Sequence, residues 1–321
     1  MRGIFGLVLG MGMLLSASPA LAETSKEDEK NKVGAQQTAP SVAPSRQNAG
    51  QLASAGLFAG SSNKPWSIVT TLQFRNKIVT DKDPANDRSL LYGLQGTYSF
   101  SNGLSARVRM GFNQRFVAEP NESGFLFQDL RVGGIYSHGL PWELPAWAGR
   151  IQFVHIFDVL TPTSRASQNQ SLYLATQQTS LVTWTPGWNL TLGLSETWQQ
   201  RFNQYAERAG RDGGMNVQSM IVGSLFVQYS PIVGLQLGAD VYSTWIRRYS
   251  SRESFVSASS SQDFWGQQFG WDLYAFYRVM PMLELGASIE HAQSVLDGGV
   301  VRTHFVNRDE TEFAFLMRGI F

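Results

Sequence analysis

The residue types most often used in catalysis are sparse in this sequence and poorly placed for it. The chain has no cysteine, which excludes a disulfide scaffold and a thiolate metal site. None of its four histidines (His138, His155, His291 and His304) has a serine or a carboxylate at a spacing typical of a nucleophile and its base. Residues 81–87 carry the carboxylates of a calcium-binding loop but not its glycine or its closing glutamate, so we interpret them as a solvated loop. We therefore expect no enzyme, no metal and no cofactor.

Six charged residues are separated by sign along the chain. Three arginines come first and three carboxylates follow: Arg107, Arg109 and Arg131, then Asp240, Asp272 and Glu290. Groups of opposite sign that face each other across a water-filled passage orient dipolar solutes and give a weak, salt-dependent ion selectivity. Whether these residues face each other depends on the elements that carry them.

The composition excludes several classes of protein. The 321 residues are 43% hydrophobic, 12% aromatic and 16% charged, whereas a soluble domain is usually about a quarter charged. The mean hydropathy of −0.16 is too low for a bundle of transmembrane helices. The aromatic content excludes disorder throughout, and the net charge of +1 argues against a nucleic-acid partner. Many short amphipathic strands remain the simplest interpretation.

The first 63 residues predict export. Arg2 precedes an apolar run over residues 3–15, and a small-residue cleavage pattern ends at Ala22, so residues 1–22 are expected to be a signal peptide rather than an anchor helix. Residues 23–63 are polar and punctuated by proline, and we expect a disordered periplasmic tail. That tail is either a flexible leader or a tether that binds a periplasmic partner.

From residue 64 onwards, apolar residues recur at every second position, as in Leu104, Ala106, Val108, Met110 and Phe112. This period predicts β-strands with one apolar face. Counting two strands within residues 149–185, where the run 153–157 is apolar on both faces, gives twelve antiparallel strands. Short turns alternate strictly with long polar loops, which is typical of an up-and-down transmembrane barrel with both ends in the periplasm.

The last strand carries a more specific pattern. Phe313, Phe315, Met317, Gly319 and the terminal Phe321 occupy alternate positions. This ending resembles the signal that Gram-negative outer-membrane β-barrels of the porin-like class present to the barrel-assembly machinery. The resemblance covers about residues 64–321 and implies an outer-membrane location and contact with outer-membrane lipid. A soluble β-sandwich would have to explain why tryptophan and tyrosine occupy the apolar face.

If the apolar face meets lipid, the other face lines the interior. We predict that the six charged residues lie near mid-height as an arginine wall and a carboxylate wall; alternatively, such charges pair across a narrow lumen. Twelve strands lie between the filled eight-stranded barrels and the open porins of sixteen. Six inward glycines favour an open lumen: Gly111, Gly133, Gly193, Gly238, Gly270 and Gly286.

These expectations favour a passive channel for small hydrophilic solutes. The alternative is a non-conducting scaffold, an adhesin or the barrel of an envelope-spanning complex, acting through its loops and tail. Outer-membrane phospholipases carry a His-x-Ser-Asn-Gly motif, but here Ser99 stands in place of the histidine before Ser101, Asn102 and Gly103. Without that base the serine is not activated, and we interpret the segment as a hairpin turn.

Overall fold

The structure is a computed structural model that describes residues 65–77, 88–101, 103–116, 124–140, 145, 148–205, 216–249, 265–297, 300–301 and 310–321. The predicted signal peptide (1–22) and periplasmic tail (23–63) lie outside these residues, so both stay predictions. No helix within the described part of the chain is long and apolar enough to cross a membrane.

Twelve long strands follow one another along the chain. They are β1 (Trp66–Lys77), β2 (Arg88–Ser101), β3 (Leu104–Arg115), β4 in two segments (Gly124–Phe127 and Leu130–Gly139), β5 (Arg150–Thr161), β6 (Leu172–Gly187), β7 (Leu190–Asn203), β8 (Val217–Tyr229), β9 (Leu235–Arg248), β10 (Trp265–Met280), β11 (Leu283–Ser294) and β12 (Thr311–Ile320). A short helix, α1 (Arg165–Asn169), lies between β5 and β6, and a small hairpin (Leu296–Asp297 and Val300–Val301) lies between β11 and β12.

The strands form one closed antiparallel sheet. Each long strand pairs with its neighbours in the sequence, and β12 pairs with β1 from Val69 opposite Ile320 to Lys77 opposite Glu312. The prediction of a twelve-stranded up-and-down barrel is therefore confirmed, and a two-sheet sandwich is excluded. Closure removes the free edges whose backbone groups could not be satisfied in lipid. Because β1 and β12 pair antiparallel, the barrel begins and finishes at the same end, which also carries the short turns.

Exposure alternates along the strands as the period of two predicts. On β3, Leu104, Val108 and Met110 are exposed while Arg107 is buried. The structure also resolves β5, whose phase is ambiguous in the sequence. There Phe157 is exposed, whereas Val154, Ile156 and Leu160 are buried and point to the interior. The apolar exterior matches the acyl chains of a membrane, and some apolar side chains fill part of the interior.

One long connection is ordered and tied to the strand ends. The Asp129 carboxylate, in the break between the two segments of β4, accepts hydrogen bonds from the Ser164 backbone N–H (2.9 Å) and the Ser167 hydroxyl (2.5 Å). At the other end of this connection, Arg201 and Asn216 donate to the side-chain and backbone oxygens of Gln170, at 3.1 and 3.0 Å. Residues 162–171 therefore pack onto the mouth of the barrel opposite the short turns.

Candidate functional site

Four carboxylates form a single row across four neighbouring strands. Asp240 on β9 lies opposite Asp272 on β10, Asp272 opposite Glu290 on β11, and Glu290 opposite Glu312 on β12. Side chains directly opposite each other on one face have Cβ atoms about 4.5–5.5 Å apart, and like charges at such positions destabilise a sheet. The sequence places three of these residues on the inner face, and the register aligns them in one row that Glu312 extends.

Burial divides this carboxylate row into two parts. Asp240 and Asp272 are 2% and 0% exposed. The Glu290 and Glu312 side chains are 14% and 37% exposed, and both lie near the Arg75 guanidinium, with N–O distances of 3.8 and 3.9 Å. Tyr242 also donates a hydrogen bond to Glu290 Oε1 at 3.0 Å. The end of the row nearest β1 is therefore its more exposed part.

On the opposite side of the barrel, Arg107 is neutralised by a buried partner. Its Nε donates to Asp158 Oδ1 at 2.8 Å, and its Nη2 contacts Asp158 Oδ2. The pair spans two strands, since Gly133 on β4 lies opposite both Arg107 on β3 and Asp158 on β5. A Cβ at Gly133 would collide with the Asp158 carboxylate, so the glycine is required for this bridge. Arg107 consequently contributes little charge to the interior.

Arg109 and Arg131 form the rest of the arginine wall. They lie directly opposite each other on β3 and β4. Arg131 Nη1 donates to Gln177 Oε1 on β6 at 3.3 Å, a neutral acceptor that leaves the charge in place. Two cationic groups thus lie side by side on the inner face, next to the neutralised Arg107–Asp158 pair.

The two charged walls are half a turn apart in the strand order. β3 and β9 lie opposite each other in the closed sheet, as do β4 and β10. Arg109 and Asp240 are each the sixth residue of strands that begin at short turns, Leu104–Arg115 and Leu235–Arg248. Arg131 and Asp272 are each the ninth residue from the end of Leu130–Gly139 and Trp265–Met280. Arg109 therefore lies at the height of Asp240, and Arg131 at the height of Asp272.

The inward glycines do not leave open space, and this corrects the sequence-based argument for an open lumen. At four of them a Cβ would collide with an aromatic ring from a neighbouring strand: Phe226 at Gly193, Tyr274 at Gly238, Tyr242 at Gly270 and Phe276 at Gly286. At Gly111 the Gln128 side chain occupies the space, at 2.7 Å from the position of a Cβ. The glycines let these side chains lie flat against the wall, which narrows the interior less than projecting rings would.

Several residues of the site are not singled out by the sequence. Arg75, Asp158 and Glu312 are charged and on the inner face, but their partners depend on which residues of neighbouring strands lie opposite them. Arg318 and Glu284 likewise form a buried pair at 3.4 Å on β12 and β11. Among the described residues, no group of three His, Cys, Asp or Glu side chains is arranged to hold a metal ion.

The predicted assembly signal lies on the outer face of the last strand. Phe315 and Met317 are 57% and 43% exposed, and Phe321 at the end of the chain is 53% exposed. Phe313 shares their phase and packs edge-on against Phe315, with ring centroids 5.8 Å apart. These side chains are available to lipid or to a protein surface; recognition by the assembly machinery stays a prediction.

A closed twelve-stranded antiparallel barrel with an apolar exterior and charges on its inner face defines the class of fold: the chain is an up-and-down β-barrel of the outer-membrane type. It resembles the COG4313 outer membrane channel from Pseudomonas putida F1, with a TM-score of 0.56 at 11% identity over 81% of this chain and 97% of that one. The KdgM porin in complex with disordered oligogalacturonate matches with a TM-score of 0.45 at 7% identity, over 79% of this chain and 98% of that one. The NanC porin matches with a TM-score of 0.43 at 11% identity and the same coverage.

The likeness to the Pseudomonas channel, at 11% identity, defines a shared fold and no shared solute. No protein-family model matches this chain, and no curated protein is significantly similar to it.

Proposed function

We propose that this protein is a passive outer-membrane channel for small hydrophilic solutes, with an arginine wall facing a carboxylate wall. The observation that carries the proposal is the row of Asp240, Asp272, Glu290 and Glu312 on the side of the barrel opposite Arg109 and Arg131. The cationic wall of the proposed channel is Arg109 and Arg131, because Asp158 neutralises Arg107.

When its carboxylates are ionised, such a row carries an electrostatic repulsion between neighbouring strands. Two like charges about 6 Å apart repel by roughly 3 kcal/mol at an effective dielectric constant of about 20. Arg75 offsets part of this repulsion at Glu290 and Glu312. A barrel wall does not need four aligned carboxylates in order to fold. Positions that break the ordinary rules of sheet stability are often functional.

The size of a twelve-stranded barrel keeps the two walls from neutralising each other. Strands about 4.8 Å apart and tilted by about 40–45° form a backbone cylinder roughly 25 Å across. With both side chains extended, charges on opposite walls are roughly 15 Å apart, nearly two Debye lengths at physiological salt. Their mutual attraction is therefore weak, and on the carboxylate side Glu290 and Glu312, which are more exposed than Asp240 and Asp272, are the groups proposed to act on solutes.

Inward side chains restrict the passage to small solutes. Val154, Ile156, Leu181 and Phe226 form one buried cluster on the inner face. Tyr274, Phe276 and Leu316 form a second. The proposed pathway is therefore narrower than the backbone cylinder, and it favours solutes that present a negative group to Arg109 and a positive group to the carboxylates.

Reversal potentials of the refolded full-length barrel in a planar bilayer, under a salt gradient, test this proposal. Glu290→Gln is expected to shift the permeability ratio of potassium to chloride towards chloride by about two- to fivefold. Arg109→Gln is expected to shift it towards potassium by a similar factor. Both shifts should shrink in molar salt, because the Debye length falls from about 10 Å at 0.1 M to about 3 Å at 1 M.

Glu196→Gln is the matched control, since it removes one carboxylate from the outer face of the barrel. It should leave the permeability ratio unchanged. Shifts of the same sign for Glu290→Gln and Arg109→Gln, or a shift for Glu196→Gln as large as theirs, would contradict the opposed walls.

A further inference from the structure

A group of polar residues interrupts the lipid-facing surface of the barrel. His155 on β5, Gln178 and Ser180 on β6, and Glu196 on β7 all have the outward phase. His155, Ser180 and Glu196 lie in one cross-strand row, since Ser180 is opposite both of the others. We call these four residues the polar patch.

The polar patch lies at the middle of its strands, away from both ends. His155 is the sixth residue of Arg150–Thr161, Ser180 the ninth of Leu172–Gly187 and Glu196 the seventh of Leu190–Asn203. Leu194 and Trp198, which flank Glu196 on the same face, are 51% and 46% exposed. The patch is therefore at the depth of the acyl chains, where headgroups and water do not reach it.

Lipid cannot satisfy the polar groups of this patch. His155 Nδ1 and the Ser180 hydroxyl lie 3.2 Å apart and form one hydrogen bond within it. The Glu196 side chain is exposed, and among the described residues none donates a hydrogen bond to its carboxylate. A charged or polar group facing the hydrocarbon core is destabilising, and such groups in membrane proteins usually meet another protein or a water-filled cavity.

We propose that the polar patch is the contact surface for a second copy of this chain in the membrane. The argument is charge complementarity: an imidazole and a carboxylate lie on the two strands that flank β6. A two-fold axis along the membrane normal through β6 brings β5 of each copy against β7 of the other. His155 of each copy then faces Glu196 of its partner, and the Ser180 and Gln178 side chains meet their own counterparts at the axis.

This arrangement is isologous, so one patch satisfies both subunits without any other protein. Gly223 lies opposite Glu196 on β8, so no long aliphatic side chain at that position keeps the second copy from approaching Glu196. Small and polar residues are the usual means by which membrane-embedded surfaces associate, because packing and hydrogen bonds replace the hydrophobic effect there. The inference concerns the outer face alone and does not depend on whether the barrel conducts.

The absence of native cysteine makes crosslinking a clean test. Ser180→Cys in the full-length protein, reconstituted in phospholipid vesicles and oxidised with copper phenanthroline, places one thiol of each copy at the proposed axis. Ser243→Cys is the matched control, because Ser243 is an outward serine on β9 that lies in the same cross-strand row but three strands from Ser180, and so off the proposed axis. We expect at least tenfold more disulfide-linked dimer from Ser180→Cys than from Ser243→Cys.

A second substitution tests the role of the charge. Adding Glu196→Leu or His155→Phe to Ser180→Cys should reduce dimer formation at least fivefold, and both changes make the surface more compatible with lipid, so the barrel should still fold. Heat-dependent electrophoretic mobility checks folding in each case. Equal crosslinking of Ser180→Cys and Ser243→Cys, crosslinking unchanged by both added substitutions, or a Ser180→Cys adduct with a protein of different mass in native outer membranes would each overturn the proposal.

Discussion

Replacing Asp158 with asparagine leaves the charge of Arg107 without its counterion inside the barrel wall. The two side chains are 4% and 1% exposed and share two contacts between the guanidinium and the carboxylate. Removing one partner of a buried ion pair typically destabilises a protein by about 3–5 kcal/mol, because the remaining charge stays buried. We expect Asp158→Asn to reduce the free energy of unfolding by about 3 kcal/mol or more, and Arg107→Gln to have a similar effect.

The double variant separates this loss from a general effect of altered packing. Replacing both members of a buried pair by neutral groups is often close to neutral, since no unpaired charge remains. Arg107→Gln with Asp158→Asn should therefore lose about 1–2 kcal/mol, which implies a coupling energy of about 4–5 kcal/mol or more between the two positions. The size of this coupling follows from the burial of the pair and from the gap that Gly133 leaves between the two strands.

Urea titrations in phospholipid vesicles, followed by tryptophan fluorescence, measure these free energies of unfolding. The variants are compared at equal m-values. The Arg318–Glu284 pair, also buried, serves as an internal comparison and should show coupling of the same sign. If Asp158→Asn loses less than about 1 kcal/mol, or if the two single losses simply add, then Arg107 is not neutralised by Asp158, and the division of the arginine wall is wrong.

Two further predictions concern packing inside the barrel and at its mouth. Gly238→Ala should reduce the free energy of unfolding by about 1–3 kcal/mol, because the new Cβ would collide with the Tyr274 ring. Gly96→Ala is the control and should change the free energy of unfolding little, since nothing lies within 4 Å of its new Cβ. Equal losses for the two variants would contradict the packing of the ring over the glycine. Arg201→Ala should raise the rate at which protease cleaves residues 162–171 in the folded barrel, because the hydrogen bond to the Gln170 side chain is lost. An unchanged cleavage rate would show that this hydrogen bond does not hold the segment in place.

The strands could be predicted from the sequence because a barrel wall imposes a period of two on every residue that faces lipid. The prediction fails to fix a phase where both faces are apolar, as in β5, where Ile156 and Phe157 are equally hydrophobic and only the neighbouring strands decide which is inside. The interruption of β4 is also invisible in the sequence. There the Gln128 N–H donates to the Gly111 carbonyl at 2.8 Å, which depends on the pairing with β3.

The charges of the candidate site could be predicted as inward, but their arrangement could not. Aligning Asp240, Asp272 and Glu290 in one row requires the register of two strand pairs, which turn lengths alone do not determine. The neutralisation of Arg107 depends on Gly133, whose small size admits the Asp158 carboxylate from the far strand. The glycines illustrate the same point. The sequence shows only that they lack a side chain, whereas the structure places an aromatic ring from a neighbouring strand over four of them.

Single-channel recording of the refolded full-length protein in a planar bilayer tests the central claim most directly. The protein is first shown to be folded by its heat-dependent electrophoretic mobility, and current is recorded at 0.1 M and 1 M potassium chloride. The account predicts discrete, steady openings, with stronger ion selectivity at the lower salt concentration, where the charged walls are less screened. Folded protein that inserts into the bilayer and passes no current would contradict a water-filled lumen between the two walls.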